Sequence, residues 1–258
     1  MHRKWLFIIG VLLIVLPLGI QWWDKKNQEN VVLTHWEQVE TLQEYDIQNC
    51  MEEAKEYNRR LFQKLELQEV KYENVLNLSN DGIMGSIEIP KISLNLPIYH
   101  GTSEEVLSKG IGHLKESSFP VGGENVHSIL TGHRGLPSAQ LFTRLDELEQ
   151  EDIFFVRVYN EVLTYRVKDI KVIEPEDIEV LEIQEGKDMV SLITCTPYGL
   201  NTHRLVVTGE REMEENIKIS EEAVVSYVSK RDFLILLLPC VFLSIAVVKT
   251  FREKGGSR

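Results

Sequence analysis

Val190-Ser-Leu-Ile-Thr-Cys-Thr-Pro-Tyr-Gly-Leu-Asn-Thr-His-Arg-Leu-Val-Val-Thr-Gly209 reads as two apolar strands joined by a turn. The first strand ends at Cys195 and the second opens with His203-Arg204. Pro197, Gly199 and Asn201 mark the reversal, because they favour the tight or left-handed backbone angles a turn needs. A cysteine at a strand tip, with a cation returning beside it, is a setting for chemistry. A thiol is a good nucleophile only as thiolate, which neighbouring positive charge stabilises.

A nucleophilic thiol also needs a proton acceptor, and histidine is the usual one. His127 lies within a strand (Asn125–Thr131) and fits a structural role. His100 and His113 stand beside glycines and read as ordinary surface loop residues. His133 lies just past a strand end, between Gly132 and Gly135, where a ligand can approach the backbone closely. Alone it reads as a loop histidine; paired with Cys195 it becomes the candidate base. His203 and Arg204 point to opposite faces of their strand, so only one can share a face with Cys195. The residues after them are apolar on both faces, so alternation leaves the choice open. Oxyanion chemistry favours Arg204, whose charge persists at any working pH, against a plain surface ion pair.

Working outward, short β-type runs separated by turns occupy the chain after Asn80-Asp81-Gly82: 85–90, 94–99, 125–131, 153–159, 161–173 and 190–194. Pro97 confines its run to an edge or irregular strand. Leu136 to Leu148 reads as a short helix with Pro137 in its first turn. The expected core is one β-rich domain closed as a barrel. Before it, from about His35 to Leu67, Trp36, Val39, Leu42, Cys50, Ala54, Tyr57 and Leu61 recur at helical steps and predict an amphipathic helix.

The chain has 258 residues and a formal charge of −12, which argues against nucleic acid as a partner. Two long apolar runs, Trp5–Trp23 and Phe233–Val248, approach the roughly 20 residues a bilayer-spanning helix requires. Paired Trp22-Trp23, with no small-residue cleavage site, reads as an interfacial anchor rather than a removable leader. Basic residues beyond both runs place both termini in the cytoplasm and residues 24–231 outside. Cys50, Cys195 and Cys240 form no disulfide framework. No histidine–cysteine cluster has zinc spacing, and no metal or cofactor is expected. The sequence predicts an anchor over 1–23, an external helical extension over 24–81 and a barrel over 82–211. A helical spacer over 212–231, a second membrane helix over 232–251 and a basic tail over 252–258 follow.

Three separated motifs then arrive in order: Leu130-Thr-Gly-His-Arg-Gly135, Ser191-Leu-Ile-Thr-Cys195 and, downstream, Arg204. Together they resemble the sortases, cysteine transpeptidases of Gram-positive cell surfaces, over about Gly82 to Arg211. Ser191 departs from the family's threonine but keeps a hydroxyl. Ile87-Glu-Ile-Pro-Lys-Ile92, Leu96-Pro-Ile-Tyr-His-Gly101, Thr131-Gly-His-Arg-Gly-Leu-Pro137 and Thr194-Cys-Thr-Pro-Tyr-Gly199 are similar to the class C, pilin-polymerising group. The lid that class C members usually carry before the barrel has an Asp-Pro-aromatic anchor, and this sequence contains no Asp-Pro.

The resemblance implies an eight-stranded barrel with short helices, a helical N-terminal extension and a transmembrane helix at each end. It implies Cys195 as nucleophile on the Thr–Gly bond of an LPxTG-type sorting signal, His133 as acid and base, and Arg204 as holder of substrate or oxyanion. A pilin lysine would resolve the thioacyl-enzyme. The expected partners are pilins or other surface proteins, cell-wall precursor and membrane lipid, and the expected location is the cell membrane with the catalytic domain outside. The alternatives are a housekeeping enzyme that attaches proteins to the wall precursor, a hydrolytic cysteine peptidase, and a tethered binding domain with Cys195 merely buried.

Overall fold

The computed structural model describes residues 2–67, 71–136 and 140–212, without the side chains of most residues before 22. Eight strands close into a barrel: β1 (Ile83–Ile89), β2 (Leu94–His100), β3 (Ile111–His113), β4 (Val126–Thr131), β5 (Ile153–Val158), β6 (Glu161–Ile173), β7 (Asp188–Thr196) and β8 (His203–Arg211). Their order around the wall is β1-β2-β3-β4-β7-β8-β6-β5, back to β1. The β2–β3 and β4–β7 pairs are parallel and the others antiparallel. The mainly β, closed eight-stranded architecture is as expected.

Seven of the strands follow the predicted runs. The eighth, β3, has only three residues and was not foreseen. It also explains Pro97. β3 pairs with β2 only over Ile98–His100, so at Pro97 the strand has β1 on one side and no strand on the other. No ladder hydrogen bond is lost there to the missing N–H.

Alternating residues of each strand fill the barrel, including Ile87, Ile98, Leu130, Phe154, Val156, Tyr165, Leu192 and Val207, all essentially unexposed. The other face of the β4–β7–β8 wall carries a second apolar cluster. Ile129, Ile193 and Val206 form it, with Leu114, Ile173 and Leu181 packed against them. Two buried faces are why β7 and β8 show no clean alternation.

The N-terminal extension differs from the single helix predicted from His35 to Leu67. Helix α1 (His2–Val39) ends, the chain turns at 40–43, and α2 (Glu44–Phe62) begins. Each helix lays part of the predicted apolar face on the barrel, Trp36 and Val39 from α1 and Cys50, Ala54 and Tyr57 from α2, and Val32 and Met51 are buried beside them. Polar pins fix both helices. His35 Nδ1 lies 2.7 Å from Asp81 Oδ2, and the Asn58 amide exchanges two hydrogen bonds with the Phe119 backbone at 2.9 and 2.7 Å. The helix predicted over 136–148 is irregular in its described part: 3-10 turns cover Leu141–Glu147, interrupted by non-helical backbone at Phe142 and Arg144, and 137–139 lie outside the described residues. Leu141, Phe142 and Leu145 are nevertheless buried as the sequence suggests.

Among the described residues no helix is long and apolar enough to cross a membrane. The first expected crossing, 1–23, falls in the part of α1 where most side chains are outside the description, and the second, 232–251, lies wholly outside the described residues.

Candidate active site

The site is built where β4, β7 and β8 end at one rim of the barrel. In the antiparallel β7–β8 pair, Thr194 opposes Leu205, Cys195 opposes Arg204, and Thr196 opposes His203. Directly opposed residues share a face, with Cβ atoms about 4.5–5.5 Å apart. Arg204 therefore shares the face of Cys195, and His203 shares that of Thr196. Register settles the choice that alternation left open.

His133 arrives from the other side. β4 runs parallel to β7 with Thr131 beside Ile193. The pairing continues past the strand end: Gly132 N–H donates to Ile193 O at 3.0 Å, and the buried Thr194 hydroxyl donates to Gly132 O at 2.8 Å. The next residue, His133, thus comes level with Cys195 on the neighbouring strand. Gly132 is required here, since a Cβ would stand 2.7 Å from Ile111 and 2.9 Å from the Phe142 ring.

The three side chains differ in their partners. Cys195 is half-buried and unbridged. His133 is about one-quarter exposed (25%), with Nε2 3.2 Å from Glu104 Oε1 in the first turn of α3 (Glu104–Lys109). Arg204 donates to the backbone carbonyls of Asn201 (3.3 Å) and His203 (3.1 Å). Among the described residues no carboxylate forms an ion pair with it. The guanidinium is not spent on a surface ion pair.

Arg134 received no role from the sequence, yet it ties the His133 loop to the strand carrying Cys195. Its side chain is 9% exposed. One terminal nitrogen donates to Thr196 Oγ1 at 3.1 Å and the other to Asp146 at 2.5 Å, while the guanidinium lies 6.0 Å from the Tyr198 ring centre. Tyr198 in turn closes over Gly135, whose φ of +83° and lack of room for a Cβ (2.9 Å from the ring) both call for glycine. The signal available in the sequence was the arginine inside Gly132-His-Arg-Gly135, but its partners lie 12 and 62 residues away.

His127, His113 and His100 are held by hydrogen bonds within the fold. His127 is buried and fully bonded, as expected. His113 overturns its surface assignment: it is a β3 residue with no exposure. Nε2–H donates to Ser118 O at 2.8 Å and Nδ1 accepts from the Tyr72 hydroxyl at 2.9 Å. Burial pushes its pKa down to about 4. His100 is half-buried in β2, 2.6 Å from Val75 O. Cys50 is buried beside Tyr159, and burial raises its thiol pKa. Among the described residues no three His, Cys, Asp or Glu side chains group as a metal site.

Residues 87–212 match the Sortase domain family. The chain is similar to sortase C1 of Streptococcus agalactiae, at 43% identity and a TM-score of 0.68, covering 72% of this chain and all of that one. It is likewise similar to sortase C of Streptococcus pneumoniae, at 38% identity and a TM-score of 0.66, covering 71% of this chain and 97% of that one. Sortase A of Streptococcus agalactiae is 28% identical over 238 residues, which cover 88% of this chain and 92% of the relative. With a family match across the barrel and close agreement in fold with two class C enzymes, the chain belongs to the sortase family of cysteine transpeptidases.

Proposed function

We propose that this chain is a membrane-held class C sortase that cleaves an LPxTG-type sorting signal between Thr and Gly and joins the acyl group to a pilin lysine. The observation that carries the reading is the strand register, which sets Cys195 opposite Arg204 and level with His133. Cys195 passes its thiol proton to His133, Sγ attacks the threonine carbonyl carbon, and the carbonyl electrons move onto oxygen. Arg204 is the donor for that oxyanion, since its guanidinium stays charged throughout. As the tetrahedral intermediate collapses, the C–N bond breaks and His133 gives a proton to the departing glycine amine. A lysine amine then attacks the thioester, His133 takes its proton, and the thiolate leaves as the isopeptide bond forms.

Pilin lysine as acceptor is supported by the likeness to the class C enzymes, among them sortase C of Streptococcus pneumoniae, whose structure bears on pilin substrate specificity. Placement at the membrane, with the barrel outside and both termini in the cytoplasm, rests on the two apolar runs and their basic flanks. A second reading, attachment of surface proteins to a cell-wall precursor, is favoured by the match to a sortase A along 88% of the chain. Incubating the protein with a sorting-signal peptide, candidate pilins and wall-precursor amine, then identifying products by mass spectrometry, separates the readings. Peptide–pilin isopeptide is expected. Adducts with the precursor alone would favour the second reading, and free peptide acid alone would leave only a hydrolase.

A further inference from the structure

The same wall carries a second polar constellation, four residues below the nucleophile on β7 and on the same face. Strand rise makes that about 13 Å. Ser191 on β7 stands opposite Thr208 on β8, with their hydroxyl oxygens 2.7 Å apart. Ser191 Oγ lies 2.8 Å from Nε2 of His127 on β4, and His127 Nδ1 lies 2.9 Å from the backbone carbonyl of Glu182. Glu182 belongs to the β6–β7 connection, residues 174–187.

The protons in this chain have one consistent arrangement. A carbonyl only accepts, so His127 Nδ1 carries the hydrogen and Nε2 accepts in the neutral ring. The Ser191 hydroxyl then donates to Nε2 and accepts from Thr208. Each group is satisfied by its neighbour in one direction, with no orphan.

The Glu182 bond stands out in the connection. Residues 174–185 otherwise bond within the connection, for example Ile178 N–H to Glu176 O and Lys187 N–H to Gln184 O, while Gly186 and Lys187 at its β7 end bond Asn125 and Val126. Among the described residues, His127 is the one hydrogen-bond link of residues 174–185 to a strand. Beside it, Leu181 packs against the cluster formed by Ile129, Ile193 and Val206. Ile193 is two residues before Cys195 and Val206 two after Arg204, so the connection forms a wall of the surface that leads to the nucleophile.

We propose that His127, oriented by Ser191 and Thr208, is a latch holding the β6–β7 connection over that surface, and so a positioning residue for the sorting signal. The proposal rests on the sortase reading for its substrate, but not for the latch itself. Because a backbone carbonyl is gripped, the identity of residue 182 is immaterial. The serine is needed as a hydroxyl, which threonine also supplies. Burial keeps the ring neutral, its pKa pushed below the ordinary histidine value, so the latch is closed at neutral pH.

Four variants test this in the full chain: His127→Phe, Ser191→Ala, Ser191→Thr and Glu182→Ala. Loss of one buried hydrogen bond corresponds to about fivefold in an equilibrium constant. His127→Phe and Ser191→Ala are therefore expected to raise KM for a sorting-signal peptide about fivefold or more, with kcat within about threefold. Ser191→Thr and Glu182→Ala should behave as the parent. Amide hydrogen exchange supplies a readout independent of turnover: residues 174–185 should exchange faster in His127→Phe while β4 and β7 keep their protection. Unchanged exchange in that connection would overturn the latch, as would a fall in kcat at constant KM. General loss of protection in His127→Phe would transfer the decision to Ser191→Ala, judged by the same two readouts. Failure of the parent to turn over peptide, with the exchange result intact, would instead strike the sortase reading and leave the latch standing.

Discussion

His113 makes a quantitative claim about acid stability. In the folded chain its ring is wholly enclosed between Tyr72, Ser118 and Phe119, and burial lowers its pKa to about 4. In the unfolded chain it returns to about 6.5. The fold thus refuses a proton that the unfolded chain takes up. Its full stability is present above the unfolded pKa and is lost as pH falls from about 6.5 toward 4. By pH 4.5 the unfolded ring has gained about two pH units of protonation at about 1.36 kcal/mol each, and the folded ring almost none. The expected loss from this one residue between pH 7.5 and 4.5 is about 2–3 kcal/mol.

Other groups titrate in the same window, so the test is a difference. His113→Gln removes the proton linkage and leaves the rest. Urea unfolding of parent and variant, each at pH 7.5 and 4.5 in the same mild detergent, gives four free energies. The parent should lose about 2–3 kcal/mol more than the variant across the interval, although the variant starts less stable. Equal losses, within about 0.5 kcal/mol, would mean that the ring is not held neutral and that its partners are misassigned.

The site makes further predictions. Cys195→Ala should abolish thioacyl formation with a sorting-signal peptide and His133→Ala should nearly do so, while His203→Ala, which shares the face of Thr196, should keep turnover within about fivefold by the scale of exposed contacts; equal damage at 133 and 203 would reverse the assignment. Arg204→Lys should lower kcat/KM about 100-fold, because a point charge does not reproduce a planar two-pronged donor, and near-normal kinetics would remove its role. Arg134→Ala should cost about 2 kcal/mol in unfolding free energy through its lost charge-assisted bonds and lower kcat about tenfold or more; loss of stability with unchanged kcat would make it a brace for the fold alone. On a Cys240→Ser background, a thiol reagent should modify Cys195 at least about tenfold faster than the enclosed Cys50, whose labelling needs local opening; equal rates would contradict the burial of Cys50.

The three residues proposed for the site were legible because their signals are local: a cysteine at a strand tip, a histidine between glycines, and an arginine opening the return strand. What stayed hidden was set by distant partners. Whether Arg204 or His203 joins Cys195 depends on the β7–β8 register, and the residues beyond them are apolar on both faces because Val206 and Ile193 pack outside the barrel while Leu205 and Val207 pack elsewhere in the core. His113 looked like a loop residue because its strand is three residues long, below the length at which alternation registers. Arg134 meets Thr196 and Asp146 only after folding. The break between α1 and α2 has neither proline nor glycine at 40–43, so no local breaker announced it.

In a ring that returns from β5 to β1, β7 is an inner strand with a neighbour on each side. On β7 the main chain is engaged by β4 on one flank as far as Ile193 and by β8 on the other past Cys195. An extended peptide laid across Cys195 therefore cannot be recognised as an added strand, the mode that lets many sheets bind almost any sequence through backbone alone. Selectivity falls instead to side chains and to whatever overhangs them, so exchanging the overhang is a route to new cargo that leaves the chemistry in place.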